Sequence, residues 1–235
     1  MKIIVFLLVC ITGLVGCANP PLPKVDKTKN ALEGVKTITI IRPREPREYT
    51  VMNFYDPGFV FGTMNLEVSV SASKYWQLAL TQLITQQNFS FADSLTDTMA
   101  QRLKQAGYEV SVQDGPWVED DGRYTLSYAD IASNADAVLV IAPTIMGFVS
   151  PRDAAGYAPT VTTVMTLLGK DHQTPLYKGY LATGWKPSEE GWQHAYSTKT
   201  FPNFEAVVAN PDQAVASLKQ ACNAIVNLAA RQILY

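Results

Sequence analysis

The sequence predicts an α+β domain, an α/β sandwich in which helices pack on a mixed sheet of about five strands. Segments with helical periodicity alternate with segments rich in β-branched residues. Residues 136–142 form a nearly continuous apolar run, which is typical of a central strand buried on both faces. A long helical pattern closes the chain. Because strands and helices alternate, the helices are expected to lie on the sheet.

Six further segments are expected as strands because they are rich in β-branched or alternating residues. They are 35–41, 49–54, a weak one at 64–70, 108–112, and the pair 160–168 and 176–185. The central strand 136–142 has a possible extension to residue 149. The polar segment 170–174 predicts a hairpin loop. Segments 113–124 and 150–159 carry glycine, proline or aspartate and are expected as loops.

Apolar residues spaced three or four positions apart predict the helices. These are 73–87, a stronger helix that Asn88 or Ser90 caps and Gly107 ends, a short one within 126–133, and a C-terminal helix. Asn210 is expected to cap the last helix, with Pro211 at its first position. Asp93 and Asp97 lie one turn apart on the second helix and could suggest paired carboxylates for acid–base work. The favoured interpretation is that Asp93 complements the helix dipole and that Asp97 occupies the polar face.

Composition indicates a globular protein and limits its partners. Of the 235 residues, 47% are hydrophobic and 17% are charged, so a disordered or fibrous chain is excluded. The 19 basic and 21 acidic side chains leave a net charge of −2. No nucleic-acid partner is expected, because nucleic-acid binding needs a basic excess to neutralise phosphates.

The first 17 residues have the pattern of a secretory signal that ends in a lipidation site. Lys2 precedes a mostly apolar stretch, 3–15, that is too short to span a bilayer as a helix. The stretch runs into Leu14-Val15-Gly16-Cys17, which resembles the lipobox of bacterial lipoproteins. This resemblance implies diacylglyceryl transfer to the Cys17 thiol, cleavage before Cys17 and acylation of the new amine. An ordinary signal peptide with an incidental cysteine, or a buried apolar strand, is the alternative.

The resemblance also implies where the protein resides. Ala18 and Asn19 follow Cys17, and the absence of aspartate there implies the outer membrane, facing the periplasm, by the sorting pattern of such lipoproteins. Two or more acyl chains hold a protein stably on a membrane, so the anchor would be permanent. The expected organisation is a signal peptide at 1–16, lipidated Cys17 with a flexible Pro/Lys linker at 17–34, and a single periplasmic α/β domain at 35–235. The linker could reach roughly 50 Å if extended.

The three cysteines fit this organisation. Cys10 would leave with the signal and Cys17 would carry lipid, so Cys222 would have no partner for an intrachain disulfide. Cys222 falls on the apolar stripe of the last helix with Val215, Leu218 and Ile225. A buried cysteine is therefore expected, and not a reactive thiol.

Residues 91–142 carry a second resemblance. A helix ends in Gly107-Tyr108-Glu109-Val110, and the central strand is preceded by Ala135-Asp136-Ala137. This order resembles the periplasmic domains of CsgG-, LpoB- and TolB-N-terminal-like proteins over about half of the mature chain. The resemblance implies a non-catalytic domain that binds other envelope proteins or copies of itself.

Aromatic residues are the candidates for partner contact. Trp185 and Trp192 belong to an aromatic segment with Tyr196 and Phe201. Phe59 begins a short apolar segment, 59–61, that lies between Gly58 and Gly62. The aromatic segment could equally cap one end of the core. An exposed apolar patch around Phe59 would indicate contact with a partner or a membrane.

No catalytic, cofactor-binding or metal-binding residues are predicted. The chain lacks a Gly-x-Ser-x-Gly elbow and a phosphate-binding glycine loop, and its two histidines, His172 and His194, lie in polar segments. The sequence therefore predicts a lipid-anchored, non-catalytic envelope protein that binds another protein or itself. An envelope hydrolase with an acidic pair at Asp120 and Asp121 is one alternative. A carrier of a small ligand or lipid, which would need an apolar cavity, is another.

Overall fold

The computed structural model describes residues 25–28, 30–54, 66–120, 123–151, 156–185, 187, 191–195 and 199–235. Ten strands are present in these ranges: β1 (Val25–Lys27), β2 (Thr37–Arg42), β3 (Thr50–Asn53), β4 (Glu109–Asp114), β5 (Trp117–Asp120), β6 (Arg123–Leu126), β7 (Ala137–Ser150), β8 (Ala158–Gly169), β9 (Pro175–Thr183) and β10 (Gln193–Ala195). The helices are α1 (Leu66–Gln86), α2 (Phe91–Gln105), α3 (Phe204–Val208) and α4 (Pro211–Leu234), with a 3-10 turn at Tyr128–Asp130.

One mixed sheet forms the centre of this part of the chain. Its order is β1-β9-β8-β7-β2-β4, with β10 also paired to β9 and β3 also paired to β7. Strands β4, β2 and β7 are parallel, whereas β7, β8 and β9 form an antiparallel meander. The α+β class is confirmed, although the sheet has eight strands where about five were expected.

The helices cover one face of this sheet. A single buried cluster joins α2 and α4 to the strands through side chains such as Leu95, Met99, Ile225, Leu139 and Tyr177. On the other face, a smaller cluster around Ile41 and Val140 is closed by the β5–β6 hairpin. No helix among the described residues is both long enough and apolar enough to cross a membrane.

Local sequence signals explain the clearest elements. Ser90 caps α2 by accepting a hydrogen bond from the Asp93 N–H at 2.9 Å, and Gly107, with a φ of 97°, follows its end. Strand β7 continues past Pro143, in agreement with the possible extension of the central strand to residue 149. Its pairing with β8 shifts between Pro143 and Ile145. The shift occurs there because proline has no N–H to donate to the ladder.

Four elements differ from expectation. Residues 66–70 begin α1 and form no strand, because alternation of apolar and polar residues over so few positions does not distinguish a strand from a helix. Part of the expected 113–124 loop forms the β5–β6 hairpin, and the expected helix within 126–133 is only the 3-10 turn. The expected linker 17–34 contains β1, which pairs with β9 through Val25 and Gly179.

The start of the last helix corrects a further detail. Pro211 occupies the first turn of α4 as expected, but the Asn210 side chain makes no capping hydrogen bond to that helix. Its Nδ2 instead donates to the Ala206 carbonyl of α3 at 2.9 Å. Asn210 therefore stabilises the end of one helix instead of the start of the next.

Candidate functional site

Two of the expected contact residues lie at separate places around β9. Trp185 follows the end of β9, is half-buried, and stacks on Phe54 with ring centroids 5.3 Å apart. Trp192 precedes β10, is also half-buried, and meets Tyr180 edge-on at 5.7 Å. Phe201 is buried and packs on Phe148 at 5.5 Å, so this member of the aromatic segment belongs to the core. Cys17, Phe59 and Tyr196 lie outside the described residues.

Trp192 extends into a row of side chains that crosses the sheet on the face away from the helices. Tyr180 pairs with Val164 in the β8–β9 register, and Val164 pairs with Ala142 in the β7–β8 register. Tyr180 lies on this face because its neighbours Tyr177 and Leu181, one or three positions away, point into the helix-side core. We call Trp192, Tyr180, Val164 and Ala142 the aromatic strip; all four are half-buried.

A groove runs along the C-terminal half of α4. Its volume is about 760 Å³, and α2 and β10 form its sides. Ala224 and Leu228 supply apolar surface, while Arg102 and Arg231 supply positive charge. Both arginines belong to the last turn of their helices, where cations complement the helix dipole. We call this cavity the α4 groove.

The charged side chains that line the α4 groove are those of arginines. His194, exposed on β10, also lines it, whereas no aspartate or glutamate side chain of the described residues does. The apolar surface and the basic side chains together suit a segment that carries both apolar and acidic side chains.

A second cavity, of about 450 Å³, lies where the parallel strands β2 and β4 end. This is the edge at which open α/β sheets bind ligands. Here, however, the charged groups are paired with one another. The Arg42 guanidinium lies 3.3 Å from the Asp93 carboxylate and 3.8 Å from that of Asp114, and the Trp117 indole N–H donates to the Arg42 carbonyl.

Glu45 occupies the N-terminus of α2 beside that cavity. Its carboxylate accepts hydrogen bonds from the Ser90 hydroxyl at 2.5 Å, the Ala92 N–H at 2.8 Å and the Tyr49 hydroxyl at 2.9 Å. Burial and the adjacent Glu45 carboxylate raise the pKa of Tyr49 above its usual range, so the phenol remains a donor. The protein's own carboxylate thus fills the position that an external anion would take.

Other candidate side chains are held in structural roles. Asp171 accepts hydrogen bonds from the Thr174 hydroxyl, the Thr174 N–H and the Gln173 N–H, which lower its pKa to about 2 and hold the β8–β9 turn. His172 lies in the same turn with a φ of 55°. Cys222 is buried as expected, and burial raises its thiol pKa to about 12.

The acidic candidates do not assemble into a site where they can be described. Asp93 pairs with Arg42, as above, and Asp97 is exposed on α2. Asp120 ends β5, but its side chain and all of Asp121 lie outside the described residues. Within the described ranges, no three histidine, cysteine, aspartate or glutamate side chains cluster as metal ligands would.

Sequence reasoning missed the residues that shape these cavities. Glu45 lies in a loop broken by prolines, and nothing local indicates that it reaches Ser90, 45 positions away. Arg102 and Arg231 have a sequence signal, a basic residue in a last helical turn, but that signal indicates only a helix end. Comparison with known proteins does not assign them a role: no family model matches the chain, and no curated protein or solved structure is significantly similar.

Proposed function

We propose that this chain is a lipoprotein of the outer membrane, anchored through Cys17 and facing the periplasm, that binds another envelope protein without catalysing a reaction. Support for the anchor comes from the lipobox at 14–17, which directly follows an apolar stretch of signal-peptide length. The α4 groove is the observation that supports the binding role.

The α4 groove has the chemistry of a protein-docking surface. Its volume of about 760 Å³ is sufficient for several side chains of a partner. Leu228 and Ala224 offer half-buried apolar surface, and Arg102 and Arg231 are exposed beside it. Arginine is enriched at protein interfaces because its planar guanidinium binds carboxylates through two hydrogen bonds. The partner is therefore a protein segment that presents acidic and apolar side chains together.

Photo-crosslinking from α4 tests this role. A photoreactive amino acid at Asn227, which lines the groove, is compared with the same residue at Ala216, which is exposed on the same helix outside the groove. Ultraviolet irradiation of intact cells, followed by mass spectrometry, is expected to give one predominant envelope protein from position 227 and none from position 216.

Charge reversal is the second test. Arg102→Glu together with Arg231→Glu is expected to weaken the crosslink, since two exposed Arg–carboxylate pairs contribute about 1 kcal/mol together, or about fivefold in affinity. Equal crosslinking from both positions would contradict a docking groove. A crosslink to a second copy of this chain would identify self-association, and a bound small molecule in native mass spectrometry would favour the carrier alternative.

Globomycin tests the anchor separately. The antibiotic blocks cleavage of lipidated precursors, so treated cells are expected to accumulate a longer form of the protein. A Cys17→Ala variant is expected to lose its acyl mass and its association with membranes. An unchanged precursor pattern, or a signal peptide retained on the exported protein, would contradict lipidation.

A further inference from the structure

We propose that the aromatic strip is a docking surface for the lipid bilayer that carries the anchor. The inference rests on the proposed lipidation of Cys17 and adds to it an orientation of the whole domain.

The chain enters the sheet beside Tyr180. Val25, the first residue of β1, pairs with Gly179, and Gln193, the first residue of β10, pairs with Leu181 along the same edge of β9. Strands β1 and β10 therefore both begin at the level of Tyr180. Trp192 directly precedes β10, and its ring centroid lies 5.7 Å from that of Tyr180.

The tether is too short for the domain to turn this edge away from the membrane. Seven residues, 18–24, separate Cys17 from Val25. Fully extended, the eight steps between these two residues span at most about 28 Å. A domain of about 200 residues has a radius of gyration of about 16 Å and hence a width of about 40 Å. Because the tether is shorter than the domain is wide, the edge at which β1 begins cannot lie on the side of the domain farthest from the lipid.

The side chains at this edge suit the boundary between headgroups and acyl chains. Tryptophan and tyrosine concentrate there because each combines an apolar ring with a hydrogen-bonding group. The Lys178 ammonium lies 5.3 Å from the Tyr180 ring centroid, and its partner in the β1–β9 register is the acidic Asp26. The opposite charges of Lys178 and Asp26 offset one another. We therefore expect the aromatic side chains to hold the contact with the bilayer, and we expect that contact to change little with salt concentration.

Fluorescence quenching in vesicles tests the contact. Full-length lipidated protein is reconstituted in phosphatidylethanolamine–phosphatidylglycerol vesicles, made with or without bromine on the acyl carbons near the headgroups. Bromine quenches tryptophan only on close approach. Trp192→Phe is expected to abolish the difference between the two vesicle types, and the wild-type difference is expected to persist at raised salt.

Trp76→Phe is the matched control. Trp76 lies on α1 and packs on Tyr157 and Phe204 in the helix-side cluster, on the opposite face of the sheet from the aromatic strip. This variant is expected to keep the full bromine effect, and circular dichroism verifies that both variants fold. Quenching that is absent in the wild type, or equal in the wild type and Trp192→Phe, overturns the inference.

Flotation of the same vesicles distinguishes failure of the proposed docking surface from failure of the proposed anchor. Protein that floats with the vesicles but shows no quenching at Trp192 retains the anchor and refutes the docking surface. Protein that carries no acyl mass and does not float contradicts the proposed lipidation, and the orientation argument with it.

Discussion

Replacing Glu45 by alanine should destabilise the domain more than any surface charge change, because Glu45 joins three elements. Its carboxylate accepts hydrogen bonds from the Ser90 hydroxyl, from the Ala92 N–H in the first turn of α2, and from the buried Tyr49 hydroxyl before β3. The substitution leaves the Tyr49 hydroxyl without its acceptor and removes a negative charge from the N-terminus of α2.

The expected cost follows from these contacts. A hydrogen bond to a charged group contributes about 1.5–3 kcal/mol, and an unsatisfied buried hydroxyl costs about 1–3 kcal/mol. Because Glu45 is half-buried and water replaces part of what is lost, we expect Glu45→Ala to lower the free energy of unfolding by about 3 kcal/mol. For a chain of this length that corresponds to a fall in Tm of about 6–12 °C.

Urea unfolding followed by circular dichroism measures this change, and two variants isolate its cause. Glu48→Ala is the control: Glu48 makes a surface pair with Lys74 at 2.9 Å, with side chains 37% and 59% exposed, and should cost no more than about 0.5 kcal/mol. A double-mutant cycle with Tyr49→Phe should give a coupling of about 1 kcal/mol. The reasoning fails if Glu45→Ala and Glu48→Ala are equally stable, or if Glu45 and Tyr49 are uncoupled.

Three further predictions concern the core and the turns. Cys222 should resist iodoacetamide at pH 8 until urea unfolds the domain, because its thiol is buried and has a pKa of about 12; rapid labelling of the native protein would contradict this. Since folding lowers the pKa of Asp171, its contribution to stability is present above about pH 4 and is lost as the pH falls toward 2. Asp171→Asn should therefore destabilise the domain more at pH 6 than at pH 3, as urea titrations at both pH values would detect. Gly147→Ala should cost about 2 kcal/mol or more, because a Cβ there would lie 2.0 Å from the Thr50 carbonyl oxygen at a φ of 152°. Gly34→Ala, at a φ of 79° with no atom within 4 Å, should cost only about 1 kcal/mol, and equal thermal shifts for both glycine variants would refute the steric argument.

Several elements were predictable because their signals are local. The cap at Ser90 and the glycine after α2 bound that helix within a few residues of its observed limits. Residues 137–141 of the apolar run lie in β7 and are buried between the helices and the β5–β6 hairpin. The stripe through Cys222 and Ile225 faces the core as its spacing predicts. In each case the determining residues are close in sequence, so periodicity and capping suffice.

The short strands had no comparable signal. Strands β1 and β10 have three residues each; β1 lies in the segment expected as a flexible linker, and β10 lies in the aromatic segment, where no strand was expected. Such strands form because the edge of β9 offers unpaired backbone donors and acceptors to whichever segment passes beside it. Only the position of β9 in the assembled sheet determines which segments those are.

Local sequence signals were sufficient for the class of the fold, the limits of α2 and the start of α4, because these depend on residues within one or two turns of one another. The tertiary structure decided how the distant parts combine. Glu45 meets the start of α2 from 45 positions away, Arg102 and Arg231 line one groove from two helices, and Trp192 meets Tyr180 beside the start of β1. Contacts of this kind depend on the packing of whole elements against each other, and the spacing of residues along the chain does not specify that packing.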